Sequence, residues 1–212
     1  MKTAAVIFDL DGTVLDNEDE YGASFKAVLE SLGGKDIPEY PQVGGIGVKE
    51  NWPVLLEKYS LKFDKPIEEL AHRTQEEYLS RLSSVTLKPG FEDLIASLRE
   101  KGIKTALATS NGWWVVEEVF DKLKLDAYFD AVTTGEEVKF KKPDPDLFLV
   151  TADKLGLMPM ECVVIEDAAS GIEAARRAGM KSFAIARDKE HAKTLDKADK
   201  IVFAYKEIIL NV

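Results

Sequence analysis

Short apolar runs alternate with stretches of helical periodicity along most of the chain. Apolar runs of this length, rich in β-branched residues, predict buried strands, and they lie at 4–8, 104–108, 131–134, 162–165, 182–185 and 201–204. Apolar residues at helical spacing lie between these runs, at 91–98, 115–123, 147–155 and 171–178. This alternation predicts an α/β fold in which helices cover a parallel sheet.

The alternation is interrupted after the first predicted strand. The next seventy or so residues show no convincing strand pattern, whereas 25–32 and 70–82 have helical spacing. We therefore predict two domains, an α/β core formed by 1–15 and 88–212 and an inserted helical cap formed by 16–87. A cap hinged over the core would create a cleft that can close around a ligand.

Composition and charge narrow the class of protein. The chain has 212 residues, of which 45% are hydrophobic and 31% charged, which is ordinary for a globular protein. The formal net charge of −10 argues against the basic face that binding to nucleic acid or anionic lipid requires. We expect no nucleic-acid partner, no membrane association, and a monomer or weak homodimer.

The single cysteine and the N-terminal segment point to a cytoplasmic location. Cys162 is the only cysteine, so there is no intramolecular disulfide framework, and its apolar neighbours favour a core position. The first apolar run is too short to span a membrane and is not followed by a signal-peptide cleavage pattern. A cytoplasmic protein is the simplest expectation.

Two acids follow the first predicted strand, in the segment Asp9-Leu10-Asp11-Gly12-Thr13. Ligands bind at the carboxyl ends of strands in open α/β sheets, so Asp9 and Asp11 are candidates for chemistry. The alternative is an ordinary turn in which Asp11 bonds only to nearby backbone groups.

Two further segments carry groups suited to phosphate. Thr109, Ser110 and Asn111 end another predicted strand with hydroxyl and amide groups that could bond to phosphate oxygens, although a simple helix cap would use the same residues. Lys142 precedes a Pro-Asp-Pro-Asp sequence that opens a helix, and this rigid start could hold the lysine toward a phosphate. The alternative for Lys142 is a surface lysine.

Glu166 and Asp167 directly follow the strand predicted at 162–165. Paired acids at a buried strand end are costly unless a cation or a network of donors compensates them. Oxygen ligands without a His or Cys cluster favour Mg²⁺.

Taken in order, DxDGT, TSN, KPDPD and ED resemble the motifs of the haloacid dehalogenase superfamily. The resemblance is to its phosphatase-like and β-phosphoglucomutase-like members, which have a helical cap inserted into a Rossmann-like core. It implies an Mg²⁺-dependent phosphatase that hydrolyses a small phosphorylated metabolite through an aspartyl phosphate. The acid at Asp11 favours phosphoryl chemistry, because the dehalogenases lack an acid at that position.

The resemblance also implies roles for individual residues. Asp9 would be the nucleophile and Asp11 the acid and base. Mg²⁺ would be bound by Asp9, the backbone carbonyl of Asp11, Asp167 and, directly or through water, Glu166. Lys142, Thr109 and the backbone N–H of Ser110 would stabilise the phosphoryl group. Ala168 departs from many relatives, which carry serine there.

Candidates for substrate contact in the cap are Asn17 and Tyr21 at its start, and Gly47 and Lys49 in a glycine turn at 44–52. A sugar-phosphate mutase resembling β-phosphoglucomutase is the alternative function. The mutases keep a histidine in the first cap helix and an arginine in the glycine turn, where this chain has Tyr21 and Glu50. A catalytically silent phosphate-binding module is a third hypothesis, and the intact Asp9, Asp11 and Asp167 argue against it.

Overall fold

The computed structural model describes residues 2–43 and 46–210. The strands of this part of the chain are β1 (Ala5–Phe8), β2 (Leu15–Asp16), β3 (Thr86–Leu87), β4 (Lys104–Ala108), β5 (Ala131–Thr133), β6 (Cys162–Glu166), β7 (Lys181–Ile185) and β8 (Lys200–Val202). The α-helices are α1 (Glu18–Ser31), α2 (Val48–Lys58), α3 (Ile67–Ser80), α4 (Phe91–Glu100), α5 (Trp113–Leu123), α6 (Asp146–Leu155), α7 (Ala169–Arg177) and α8 (Lys189–Thr194). Short 3₁₀ helices lie at Leu125–Tyr128, Pro159–Glu161 and Tyr205–Glu207.

Six parallel strands form the main sheet in the order β5-β4-β1-β6-β7-β8. After β1 the chain adds strands on one side of it, and then crosses over and adds the rest on the other side. The order therefore reverses beside β1, and such a switch point is where ligands bind in open α/β sheets. The predicted fold class, a parallel sheet in a Rossmann-like arrangement, is confirmed.

Both faces of the sheet are buried. On one face, Ile7, Ala106 and Val164 from three neighbouring strands pack against Phe148 of α6 and Ala174 of α7. On the other face, the ring of Phe8 lies edge-on to Phe91 of α4, with 5.5 Å between ring centroids. A strand buried on both faces reads as a continuous apolar run, which is the pattern that predicted these strands.

The chain divides into two compact units, Met1–Asp16 with Leu87–Val212 and Asn17–Thr86. We call the first the sheet unit and the second the helical unit. These boundaries differ by one residue at each junction from those proposed from sequence. Asp16 and Leu87 belong to the sheet unit because each lies in a short strand, and the two strands β2 and β3 pair with each other.

The helical unit contains α1, α2 and α3, with both α1 and α2 in contact with α3. Its core includes Trp52, which is fully buried. The indole N–H of Trp52 donates to Thr74 at 3.0 Å, and the Trp52 ring lies 5.6 Å from the Phe25 ring. The polar edge of this large side chain is therefore satisfied inside the unit.

The prediction of a glycine turn over 44–52 was wrong in its second half, because helix α2 already begins at Val48. Pro53 and the preceding glycines argue locally against a helix there. Burial of Trp52 and Leu55 outweighs that preference. Gly44 and Gly45 lie outside the described residues.

No helix in residues 2–43 and 46–210 is long and apolar enough to cross a membrane. The cytoplasmic location stays a prediction.

Candidate active site

The register of the sheet aligns three strand ends. Phe8, the last residue of β1, pairs with Leu107 of β4 and with Ile165 of β6. The backbone N–H of Asp9 continues the ladder by donating to the carbonyl of Ile165 at 3.0 Å. The residues that come next in the three strands therefore lie side by side, and they are Asp9, Ala108 and Glu166.

Lys142 joins these three strand ends. Its ammonium group donates to the carboxylate of Asp9, to Oε1 of Glu166 at 2.8 Å and to the carbonyl of Ala108 at 3.0 Å. The side chain is only 5% exposed, so the alternative of a surface lysine is excluded. The ammonium also lies 5.0 Å from the centre of the Phe148 ring. With three oxygen acceptors, this buried cation uses its full donor capacity.

Glu166 is held by donors on both of its carboxylate oxygens. Oε1 accepts from Lys142, and Oε2 accepts from the backbone N–H groups of Asp167 at 2.9 Å and Ala168 at 2.7 Å. A Cβ added at Gly171 would overlap this carboxylate, so the absence of a side chain there makes room for it. The buried charge is thus compensated by the protein itself.

Asp9, Glu166 and Asp167 form an acidic cluster, in which one oxygen from each lies within 4.8 Å of the others. Gly12 adopts a positive φ of 71° beside this cluster, and a Cβ at that position would overlap the carboxylate of Asp167. The hydroxyl of Thr13 lies 3.4 Å from Oδ1 of Asp167. A set of closely spaced oxygen donors suits a hard divalent cation such as Mg²⁺.

Burial controls the charge of this cluster. It raises the pKa of Asp9 to about 8, with Glu166 and Asp11 adding to the increase, while Lys142 opposes it. Burial also works against the charge of Lys142, but the carboxylates of Asp9 and Glu166 outweigh it, so the pKa of Lys142 is raised above its usual value. Lys142 is therefore a permanent positive charge, and Asp9 needs additional positive charge to ionise at neutral pH.

The end of β4 carries the residues predicted to contact phosphate. Thr109 is buried, and its backbone N–H donates to the backbone carbonyl of Thr133 at 3.0 Å. Its hydroxyl accepts from the backbone N–H of Asn111 at 3.2 Å. Ser110 is partly exposed. The side-chain amide of Asn111 donates to Oδ2 of Asp11 at 2.7 Å. This strand end is therefore connected directly to the two-acid segment after β1.

The model of the haloacid dehalogenase-like hydrolase family matches residues 6–185, which include every residue of this site. The chain belongs to that family. The resemblance seen in the four motifs is confirmed, and so is the hydrolase class.

Several relatives of this hydrolase are named for enzymes of phosphorylated sugars. The chain is 34% identical to "Phosphorylated carbohydrates phosphatase" of Thermotoga maritima over 98% of this chain and 97% of that protein. It is 32% identical to "Beta-phosphoglucomutase" of Bacillus subtilis over 83% of this chain and 80% of that protein. Among solved structures, CbbY from Rhodobacter sphaeroides, in complex with xylulose 1,5-bisphosphate, matches with a TM-score of 0.83 and 26% identity over 97% of this chain and 96% of that one.

In this hydrolase, the substrate candidates of the helical unit bond to other residues of the same unit. Asn17 is 1% exposed and donates to the hydroxyl of Tyr78 at 2.9 Å. The ring of Tyr21 stacks on the ring of Tyr78, with 4.1 Å between centroids. Lys49 is 53% exposed and pairs with Glu68 at 2.6 Å.

Gly47 directly precedes α2, and its carbonyl accepts from the side chain of Asn51 at 3.1 Å. Substrate contact by Asn17, Tyr21, Gly47 and Lys49 stays a prediction.

Sequence reasoning missed two residues that support the site. The phenol of Tyr205, which is buried, donates to the backbone carbonyl of Thr13 at 2.8 Å. Burial raises the pKa of Tyr205 well above its usual value, and Asp167 and Asp9 add to the increase, so the phenol stays protonated as a donor. Thr13 stands in the first motif and could have been assigned a role, but nothing local marks a tyrosine 192 positions further along the chain.

Proposed function

We propose that this hydrolase is an Mg²⁺-dependent phosphatase that removes the phosphoryl group from a small phosphorylated sugar through an aspartyl phosphate on Asp9. One observation carries the proposal. The carboxylate of Asp9 lies at the switch point of the sheet, in contact with the buried ammonium of Lys142 and clustered with Glu166 and Asp167. Phosphatase activity is also supported by the relative from Thermotoga maritima, which matches this chain over nearly its full length.

In the first step, an oxygen of Asp9 forms a bond to phosphorus while the bond from phosphorus to the sugar oxygen breaks. A carboxylate and a phosphate dianion repel each other, and Lys142 reduces that repulsion because its charge lies against Asp9. Bound Mg²⁺ would supply further positive charge that neutralises the phosphate and the attacking carboxylate. Asp9, Asp167 and the backbone carbonyl of Asp11 would hold it.

Asp11 serves both steps as acid and base. It first gives a proton to the departing sugar oxygen, and it then takes a proton from the water that attacks the phosphorus of the aspartyl phosphate. That attack breaks the bond to Asp9 and releases inorganic phosphate. Thr109 and the backbone N–H of Ser110 bond to the phosphoryl oxygens throughout.

Glu166 would act through water rather than as a direct metal ligand. Its two carboxylate oxygens already accept from Lys142, Asp167 and Ala168. Lys142 and Glu166 together hold Asp9 in place, since Lys142 bonds to both carboxylates. Glu166 therefore fixes the position of the Lys142 ammonium group.

The helical unit favours hydrolysis over transfer to a second sugar phosphate. A mutase needs a cationic group that grips the distal phosphate. Lys49 is the cation near the start of α2, and it pairs with Glu68 inside its own unit. The resemblance to the mutases implies a histidine at the position of Tyr21, and Tyr21 is stacked on Tyr78. The identity to the Bacillus subtilis mutase keeps transfer as the alternative.

A phosphate-release screen over sugar phosphates tests the proposal, with and without Mg²⁺. We expect release from at least one monoester without a bisphosphate activator, loss of activity with a chelator, and recovery with Mg²⁺. Ca²⁺ should inhibit, because its larger and more flexible coordination shell disturbs the attack geometry. Interconversion of glucose 1-phosphate and glucose 6-phosphate that is far faster than any phosphate release would establish the mutase instead. Phosphate binding without turnover in either assay would establish a silent binding module.

A further inference from the structure

Both backbone polar groups of Asn111, its N–H and its carbonyl, are hydrogen-bonded. Its N–H donates to the hydroxyl of Thr109 at 3.2 Å, and its carbonyl accepts from the N–H of Gly135 at 2.8 Å. The residue is only 7% exposed. A side chain on so constrained a backbone has few alternative positions, so the direction of its amide is set by the fold.

That amide donates to Oδ2 of Asp11 at 2.7 Å. An amide N–H bonds to an oxygen lone pair, so Oδ2 acts as the acceptor oxygen of the carboxyl group. The oxygen that exchanges a proton with the sugar or with water is then Oδ1. Loss of the Asn111 amide removes this difference between the two oxygens, and proton transfer depends on the position of the proton.

We propose that Asn111 is a positioning residue for Asp11, which orients the carboxyl group and assigns proton transfer to Oδ1. This inference rests on the proposed function, because it requires Asp11 to be the acid and base. It replaces the phosphate contact predicted for Asn111 from sequence. The two roles differ in a measurable way, since a phosphate contact acts on every substrate, whereas a positioning residue acts only through Asp11.

A double-mutant cycle on the sugar phosphate that is hydrolysed best decides between them. We expect Asp11→Asn to lower kcat/KM by about 10³-fold and Asn111→Ala by about 10- to 100-fold. The double variant should match Asp11→Asn within about threefold, because a residue that acts through another has no effect once that other is gone. Losses that multiply would overturn the inference and restore the phosphate contact.

The leaving group gives a second readout that a merely structural role would not move. Dinitrophenolate leaves without a proton, so general acid catalysis contributes little to cleavage of 2,4-dinitrophenyl phosphate. The kcat/KM value reports steps up to formation of the aspartyl phosphate, which isolates the acid role. We expect Asn111→Ala to lower kcat/KM for this ester by about threefold at most, far less than for the sugar phosphate. Equal losses on both esters would contradict positioning.

The controls separate this inference from the proposed function. Asp11→Asn must itself show the leaving-group dependence; if it does not, Asp11 is not the acid, and the inference about Asn111 fails together with that role. The phosphatase assignment is tested separately, by the phosphate-release screen. If Asp11→Asn shows it and Asn111→Ala does not, only the inference about Asn111 fails. Thermal melting of each variant checks the fold, and a change of only a few degrees is expected for loss of one hydrogen bond.

Discussion

In the sheet unit, the ionisable groups of Lys142, Asp9 and Glu166 are largely buried and bond to one another at the ends of neighbouring strands. In the helical unit, the polar residues predicted to contact substrate have different surroundings. Asn17 bonds to the hydroxyl of Tyr78, and Lys49 forms an exposed ion pair. Contacts of the second kind are common in proteins of every function.

The difference shows which contacts carry information about chemistry. Burying three ionisable groups at a strand end costs free energy that a hydrophobic cluster would not cost, so stability alone does not explain the arrangement. An exposed ion pair or a buried amide–phenol bond costs little and needs no functional explanation. We therefore expect variants of Lys142 and Asp9 in the buried cluster to change catalysis strongly, and variants of Lys49 in the helical unit to change it weakly.

The largest effect is expected for Asp9→Asn, which keeps the shape of the side chain but removes the nucleophile. We expect kcat to fall by at least about 10⁴-fold in steady-state phosphate release, since loss of a nucleophile costs several orders of magnitude. The exposed Asp93→Asn, purified in the same way, is the matched control. A folded variant with more than a few per cent of wild-type activity would show that Asp9 is not attacked.

Lys142→Met comes next, because methionine preserves the apolar stem and removes the charge. We expect kcat to fall by about 10²- to 10³-fold, as for loss of one preorganised donor to developing charge. Lys141→Met tests the neighbouring lysine, which is exposed, and should behave as wild type. Equal behaviour of the two variants would mean that the buried ammonium is only structural.

The raised pKa of Asp9 predicts that Mg²⁺ binding depends on pH. The folded protein without Mg²⁺ keeps the Asp9 proton up to about pH 8, whereas the unfolded chain releases it near the ordinary value of 3.8. The stability that this proton gives is therefore lost as pH rises toward 8, and Mg²⁺ must displace the proton below that pH.

Thermal-shift titrations of wild type check this dependence. The half-saturating Mg²⁺ concentration should fall about tenfold per pH unit between pH 6 and pH 8, because one proton competes with the cation. Asp9→Asn should remove the pH dependence. A concentration that stays constant over this range in wild type would show that Asp9 is ionised before the cation binds.

Tyr205→Phe tests the hydrogen bond between the phenol and the backbone carbonyl of Thr13, which stands in the first motif. Loss of the phenol leaves the buried carbonyl of Thr13 without that donor, which costs about 1–3 kcal/mol. Urea denaturation should show this decrease in the free energy of unfolding, and the exposed Tyr40→Phe should show much less. An unchanged free energy of unfolding would mean that the bond from Tyr205 to Thr13 does not stabilise the sheet unit.

The smallest effect is expected for Lys49→Ala in the helical unit. We expect Tm to change by less than about 2 °C, because exposed ion pairs contribute little to stability. The value of KM for the sugar phosphate should rise by about threefold at most, because Lys49 is already paired. Glu68→Ala removes the partner and is the matched control. A much larger rise in KM for Lys49→Ala alone would show that this lysine grips the substrate.

The sequence was sufficient to predict the six strands of the main sheet and to single out the acids and the lysine that lie together at their ends. Both faces of each central strand are buried, so the strands read as apolar runs, and the chemical residues follow them directly. Helix α2 was not predicted, because Pro53 and the glycines before it have a low helix propensity, which hides the helical spacing of the apolar residues.

The partners of individual side chains could not be predicted. Asn111 has the groups to bind phosphate, but its amide lies on Asp11 because the parallel register brings the ends of β1 and β4 together. Tyr205 reaches Thr13 from the far end of the chain. Contacts of this kind depend on the assembled sheet and leave no periodic pattern in the sequence.

Gly12 and Gly171 have a consequence for how this enzyme tolerates change. Neither offers a functional group, yet a single added carbon at Gly12 would overlap the carboxylate of Asp167, and one at Gly171 would overlap that of Glu166. If a library of substitutions were selected for activity, we expect Gly12 and Gly171 to tolerate as few replacements as the acids themselves. What these residues contribute is empty volume, and a designer who transfers the acids to another scaffold must transfer that volume as well.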